Sequence, residues 1–320
     1  MRALRFIVSG FSAATLVLIA SATFGQTYPS KNIRIVTTSI GGSSDFTTRL
    51  IAQRISGPLG QNVIVENRAS NVVGEMLANA RPDGYTLLLT GGAVLLGPLL
   101  QKVNFDPVRD FEAITVTTSE PNILVVHPSV PAKSVKELIA LAKAKPGALN
   151  YASGGTGSSV HLSAELFKSM GGINLMNVNY KGGSLALISV LSGDEVQVMF
   201  PSAGTVASHI KSGKLRGLGV TTLQPSSLVP GMPTVAATGL PGYESVSLDF
   251  IYAPAKTPTA IITRLNQEIV RILNQPDVME RHFNLAKEVV SSSPEKAAAL
   301  VKSEIAKWGK VIKDAGIHTQ

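Results

Sequence analysis

The chain has 320 residues, no cysteine and a formal net charge of +8, with 29 Lys and Arg against 21 Asp and Glu. Without cysteine there are no disulfides and no thiol catalysis. The basic residues are scattered singly among acids, with no basic run or aromatic ladder, which argues against nucleic acid as a partner and leaves a modest bias toward anionic ligands.

Arg2 and Arg5 precede an apolar stretch, residues 11–22, that is too short to span a bilayer comfortably and is followed by small residues. This is the pattern of a secretory signal over residues 1–25, with cleavage expected after Ala22 or Gly25; an uncleaved membrane anchor is the alternative. No later segment is apolar for long enough to cross a membrane, so an exported, monomeric protein of two ordinary domains is expected.

Residues 33–37 predict a first strand. Asp45 can cap a helix over 46–59, in which Leu50, Ile51, Ile55 and Leu59 recur near helical spacing. Strands are expected at 62–67 and 84–90, with a short helix at 75–80 between them. Further on come a strand at 122–127, a helix at 134–145 stopped by Pro146-Gly147, a strand at 149–152 and a helix at 160–170. The alternation continues with strands at 177–180, 196–200 and 215–221 and helices at 184–191 and 203–212. A strand at 245–253 then leads into long helices at 259–273 and 294–314, the second with Pro294 at its first position and Ser293 as cap. This order predicts an α/β protein with mostly parallel sheets. No repeat or low-complexity linker divides the chain. Two α/β lobes, with the chain returning to the first, would leave a cleft between them, where ligand pockets are favoured.

The segment Tyr151-Ala-Ser-Gly-Gly-Thr-Gly-Ser-Ser-Val-His-Leu162 is the most informative. A strand runs into glycines and hydroxyls and then directly into a helix, so unpaired N–H groups and hydroxyls face one spot at a positive helix end. Ser153, Gly154, Gly155, Thr156, Gly157 and Ser158 are the candidates, against the plainer reading of a capped turn. It is no dinucleotide fingerprint, because Val160 stands where the third glycine belongs. A second such loop runs from Thr37 to Asp45 and offers Thr38, Ser39, Gly41, Gly42, Ser43 and Ser44. Asp45 itself either caps the helix or stands in the pocket. His161 either meets a ligand or packs behind the loop, and Lys181 either adds a point charge or is plain surface. Thr90 and Gly91 end one strand, and Pro201 and Ser202 another, at the positions where open α/β sheets place ligands. Asp83, Gly84 and Tyr85 read as a turn.

Catalytic sets are missing from the sequence. There is no G-x-S-x-G elbow, the five histidines are not paired at metal-ligand spacing, and Asp194-Glu195, being adjacent, point apart. No metal or cofactor is expected. Two anion-facing loops without a catalytic set suggest a binder of small acids rather than an enzyme.

Short motifs along nearly all of the chain beyond the signal carry a resemblance. They include Tyr28-Pro29-Ser30-Lys31-Asn32-Ile33-Arg34-Ile35-Val36, Val65-Glu66-Asn67-Arg68, Arg81-Pro82-Asp83-Gly84-Tyr85 and Phe105-Asp106-Pro107-Val108-Arg109-Asp110-Phe111. Later come the 153–162 loop, Asn179-Tyr180-Lys181-Gly182-Gly183, Gly239-Leu240-Pro241-Gly242-Tyr243 and Ala253-Pro254-Ala255-Lys256-Thr257-Pro258. In number, order and spacing these resemble the Bug (TctC-like) receptors, periplasmic solute-binding proteins of tripartite tricarboxylate transporters. The resemblance implies a two-lobed periplasmic-binding-protein fold (type II-like), with lobe one at 26–124 and 252–320, lobe two at 125–251, and hinge strands near Leu124-Val125-Val126 and Phe250-Ile251-Tyr252. It implies that the two loops face each other and hold a small carboxylate ligand by amides, hydroxyls and waters. That ligand would be a di- or tricarboxylate, an acidic amino acid or an aromatic acid. The partners it implies are membrane transporter subunits; the alternative readings of the chain are a receptor that feeds a sensor kinase and a secreted enzyme acting on small acids. The chain departs from the family pattern at Ile40, where proline is common, at Ser70-Asn71-Val72-Val73-Gly74, which is bulkier than usual, and at Leu248, where tryptophan is frequent.

Overall fold

The structure is a computed structural model that describes residues 28–38, 40, 41 and 43–317. The expected signal and the candidates Ser39 and Gly42 lie outside the described residues. In chain order the first elements are β1 (Ile33–Thr37), α1 (Ser43–Leu59), β2 (Val63–Asn67), α2 (Ser70–Ala78), β3 (Thr86–Thr90), α3 (Gly92–Leu100) and β4 (Phe111–Pro121). The middle holds β5 (Ile123–Val126), α4 (Val135–Ala144), β6 (Asn150–Ser153), α5 (Ser159–Gly171), β7 (Met176–Asn179), α6 (Gly183–Ser192), β8 (Val198–Met199), α7 (Ala203–Lys211), β9 (Arg216–Val220) and α8 (Val235–Thr238). The chain closes with β10 (Val246–Pro254), α9 (Thr259–Leu273), α10 (Pro276–Phe283), β11 (Glu288–Val289) and α11 (Pro294–Asp314).

Two sheets organise these elements. One has the order β11-β4-β10-β3-β1-β2 and the other β7-β6-β8-β5-β9. Both are mixed, which corrects the expectation of mostly parallel sheets. In the first, β1 runs parallel to β2 and β3, while β10 runs against both β3 and β4. In the second, β6 runs parallel to β7 and β8, while β5 runs against β8 and β9. In the first sheet the cause is the chain's return: β10 enters between β3 and β4, and its ladder with β4 runs from Val246 opposite Pro121 to Pro254 opposite Phe111.

The helices follow their apolar stripes. Ile262, Leu265, Ile269, Ile272 and Leu273 line one face of α9, which packs against α1 and β4. There they join Ile33, Ile35, Leu50, Ile51 and Ile55 in one core. Each fully buried side chain of this kind contributes on the order of 2 kcal/mol. A second core reaches from Val36, Leu88 and Phe250 through Trp308 to Leu162, Phe167 and Tyr243, joining the first sheet to α5. Caps set the helix starts: Ser134 accepts from Glu137 N, Ser158 from His161 N and Ser293 from Lys296 N. Among the described residues no helix is long and apolar enough to cross a membrane.

The chain passes from the first sheet to the second between Pro121 and Ile123 and returns between Val220 and Val246. The limits read from the sequence, 124/125 and 251/252, fall within β5 and β10, and each of those strands keeps to one sheet over its length. Strand β4, helices α3, α8 and α10, and the short β11 had no counterpart in the sequence reading.

Candidate functional site

Loop one joins β1 to α1. The helix starts at Ser43, so Asp45 lies in its first turn rather than at its cap. The buried Asp45 carboxylate accepts from Gly41 N at 2.9 Å, Arg49 Nε at 3.0 Å and Asn67 Nδ2 at 2.8 Å. Asn67 Nδ2 also donates to Thr38 O at 2.7 Å. Asp45 therefore ties the loop to α1 and β2. Burial alone would raise its pKa, but the bonds from Arg49, Asn67 and Gly41, with the Arg49 charge, outweigh burial and hold it below the ordinary 3.8. At the loop's start, the buried Thr37 hydroxyl has no hydrogen-bond partner among the described residues.

Ser44 Oγ reaches across to Asp249 Oδ1 at 2.9 Å. Asp249 stands on β10 and also accepts from Lys287 Nζ at 2.6 Å and Thr118 Oγ1 at 3.2 Å. Gly91 lies over the same carboxylate, and a Cβ there would stand 2.7 Å from Asp249 Oδ1. Its neighbour Thr90 is buried in the ladder opposite Phe250. In the β4–β10 ladder Ser247 lies opposite Glu120 and Asp249 opposite Thr118, so these pairs line one side of the strands.

Loop two follows β6. Ser153 Oγ is spent on Asn177 Oδ1 at 2.8 Å and Asn179 Oδ1 at 3.2 Å. Gly154 packs against the start of α6, where a Cβ would lie 2.7 Å from Gly183 N. Gly155 takes a φ of 137° that side chains rarely adopt, and Thr156 is exposed. Gly157 N donates to His161 Nδ1 at 3.0 Å, while Ser158 Oγ accepts from His161 N at 3.3 Å. His161 is thus buried behind the loop and braces it. Because Nδ1 accepts, the proton of the neutral ring sits on Nε2, 4.0 Å from Glu165 Oε1. Burial pushes the His161 pKa below 6.5 against the opposing pull of Glu165. Lys181 is exposed and lines neither of the cavities described next.

Two adjoining cavities lie between the sheets, sharing Ser159 and Ser247. The first, of about 300 Å³, is mostly apolar, with Leu95, Leu96, Leu162, Leu248 and Trp308 on its walls and Gly157 and Ser158 of loop two at its edge. The second, of about 320 Å³, is polar and is walled by Glu120, Asn122, Ser159, Ser184, Ser202 and Thr205. Pro201 also lines it. The N-termini of α5, α6 and α7 converge there through Ser159, Gly183 and Ser202. Their free amides and dipoles favour an anion. Among the described residues no Lys or Arg lines either cavity, and the ionisable groups on their walls are Glu120 and Glu304. Glu304 is occupied by Trp308 Nε1 at 2.8 Å and Lys307 Nζ at 2.6 Å. Among the described residues no cluster of three or more His, Asp or Glu is placed to hold a metal ion.

The structure thus brings Gly157 and Ser158 of loop two together with Pro201 and Ser202 at the two adjoining cavities, sets Gly91 against Asp249 behind them, and ties the start of α1 to β10 through Ser44 and Asp249. It leaves Lys181 outside the cavities and turns Asp45, Ser153 and His161 toward the protein's own polar groups. Glu120, Asn122, Ser159, Ser184, Thr205 and Ser247 line the cavities and were not singled out by the sequence reading, nor was the buried Asp249 that holds Ser44. The one signal for Glu120 was its place beside Pro121-Asn122, just before a strand.

Comparison with known proteins gives a consistent picture. The sequence profile "Tripartite tricarboxylate transporter family receptor" matches residues 47–317. Protein BugT of Bordetella pertussis is 32% identical over 305 residues, covering 93% of this chain and 93% of BugT. The structure of R. palustris Rpa4515 with adipate superposes with a TM-score of 0.73 at 32% identity, covering 91% of this chain and 100% of that one. MatC of the same organism, solved with bound malate, gives a TM-score of 0.70 at 27% identity, with 89% and 100% covered.

Proposed function

This chain belongs to the tripartite tricarboxylate transporter family of receptors, and from that premise we propose that it captures a small carboxylated metabolite between its lobes, closes on it, and hands it to membrane transporter subunits. In this reading residues 1–25 direct export and are removed, and the receptor works as a monomer in the periplasm without catalysis. One observation carries it: three helix N-termini and their hydroxyls meet in a cavity between the two sheets with no Lys or Arg on its wall among the described residues. Such a site stabilises a carboxylate by fixed amide dipoles rather than by a mobile counter-ion. Adipate and malate, the ligands of two relatives, have the matching chemistry. Loop two supplies one jaw, and loop one, carried by Ser44 on Asp249, supplies the other. Closure would remove the acid from water and strengthen each of those contacts.

The test is a thermal-shift screen of the mature protein against dicarboxylates, citrate-like acids, acidic amino acids and aromatic acids. A ligand at a hundred times its Kd should stabilise the protein by about 2.7 kcal/mol. X-ray scattering should then show a smaller radius of gyration in the complex, and the acid should be recovered chemically unchanged. Turnover of the acid, or a bound complex with an unaltered scattering profile, would contradict the reading.

A further inference from the structure

We propose that Glu120 selects for an acid that also carries an ammonium group, with the carboxylate at the converging helix N-termini and the ammonium against the Glu120 side chain. This rests on the carboxylate-binding reading above and narrows it. The cleft's charge inventory leads there. Among the described residues its two cavities together present two carboxylates and no cation. Glu304 is already occupied by Trp308 and Lys307. Glu120 is not matched in that way. The neutral Ser202 hydroxyl, which lines the same cavity and meets Thr205 Oγ1 at 2.7 Å, is the hydrogen-bonding group that favours the ionised form of Glu120. The nearby cation, Lys287, is buried and spends its ammonium on Asp249 Oδ2 at 2.6 Å.

With Lys287 matched to Asp249, the ionised form of Glu120 is a carboxylate on the polar cavity's wall without a counter-charge of its own among the described residues. Burial raises the Glu120 pKa and Asp249 adds to that, while Lys287 and the Ser202 bond resist it. The surroundings thus fall short of a full counter-charge for the ionised form. A plain diacid would bring a second negative group into a cleft whose walls hold no Lys or Arg and one carboxylate short of a partner. An amino acid satisfies both ends at once: amides and hydroxyls take its carboxylate, and Glu120 takes its ammonium by a charge-assisted hydrogen bond. Discrimination arises because the wrong ligand leaves a buried charge unpaired.

The experiment is calorimetric titration at neutral pH with matched pairs that differ in one amino group: succinate and aspartate, glutarate and glutamate, adipate and 2-aminoadipate, propionate and β-alanine. In the wild type the amino member should bind at least about tenfold tighter in one or more pairs. Glu120→Gln keeps an acceptor for Ser202 and should cut that ratio by about tenfold, chiefly by tightening the plain acid. Glu120→Asp, which keeps the charge, should retain the preference for the amino member and guards against a folding artefact in the Gln variant. Plain acids that bind as tightly as their amino partners in every pair would overturn the selection and leave the carboxylate reading standing. So would a ratio unchanged in Glu120→Gln. Silence from every pair would overturn the selection too, and the wider acid screen then decides whether the carboxylate reading falls with it.

Discussion

Asp45 accepts hydrogen bonds from Gly41, Arg49 and Asn67 while almost wholly buried, so one side chain fixes the geometry of loop one before any ligand arrives. The net effect of those bonds is a lowered pKa, so the native state favours the ionised carboxylate. The stability it contributes is present above the ordinary value of 3.8 and is lost as pH falls through the lower native value. Asp45→Asn removes the charge and, whichever way the amide turns, sets its NH2 against at least one of the three donors. It should cost roughly 2 kcal/mol in urea denaturation at neutral pH. The gap from wild type should close in strong acid, where the native carboxylate is itself protonated. Stability curves that stay parallel into acid would show that the carboxylate is not the source. His161 plays the same part for loop two: its bare Nδ1 holds Gly157 N–H and shapes the loop from behind.

At the scale of elements, loop two and α6 meet backbone to backbone. A methyl group at Gly154 would lie 2.7 Å from Gly183 N and 3.0 Å from Gly183 Cα, and neither atom can swing aside as a side-chain tip could. Gly154→Ala should therefore part the α5 and α6 N-termini, cost about 1–3 kcal/mol by overpacking, and weaken binding of any acid that bridges them. Unchanged affinity and melting temperature would mean that the two termini do not act together. Some of this architecture was legible beforehand. Helices α9 and α11 have the bounds that their apolar spacing and the Pro294 start indicate, and the glycine-hydroxyl run after β6 marked loop two. Other parts gave no periodic signal. Strand β4 reads Phe-Glu-Ala-Ile-Thr-Val-Thr-Thr-Ser-Glu-Pro, where buried threonines on both faces erase the alternation of apolar and polar residues. Helix α3 reads Gly-Ala-Val-Leu-Leu-Gly-Pro-Leu-Leu, apolar all round and interrupted by glycine and proline, so it has no stripe to detect. Missing β4 hid Glu120 and Thr118. Asp249 lay within the anticipated last strand, but nothing local marks it as the partner of Ser44, which is 205 residues away.

The whole molecule turns on the two crossings between its sheets, which are bonded to each other. Asn122 N donates to Thr221 Oγ1 at 2.9 Å, Thr221 N to Asn122 O at 3.0 Å, and Ser245 N to Thr221 O at 2.9 Å. Asn122 Nδ2 continues the buried network to Ser163 Oγ at 2.9 Å, which meets Ser245 Oγ at 2.7 Å. Strands held edge to edge in this way can bend together, while twisting apart would break several buried bonds at once. The lobes should accordingly move along one path, opening and closing the cavities that Ser159 and Ser247 share. Thr221→Val keeps the shape but removes the hydroxyl, leaving Asn122 N–H unpaired in a buried place at a cost of about 1–3 kcal/mol. The chain has no native cysteine to interfere with labelling, so spin labels can be placed on cysteines introduced at the exposed Lys102 and Lys211, one in each lobe. Pulsed electron resonance should show one narrow distance distribution in the unliganded parent, moving to shorter distances with ligand. In Thr221→Val the unliganded distribution should broaden and the melting temperature fall. Equal widths with equal melting temperatures would mean that the crossings bend independently, and that closure is steered by the ligand alone rather than by this strip of paired backbone.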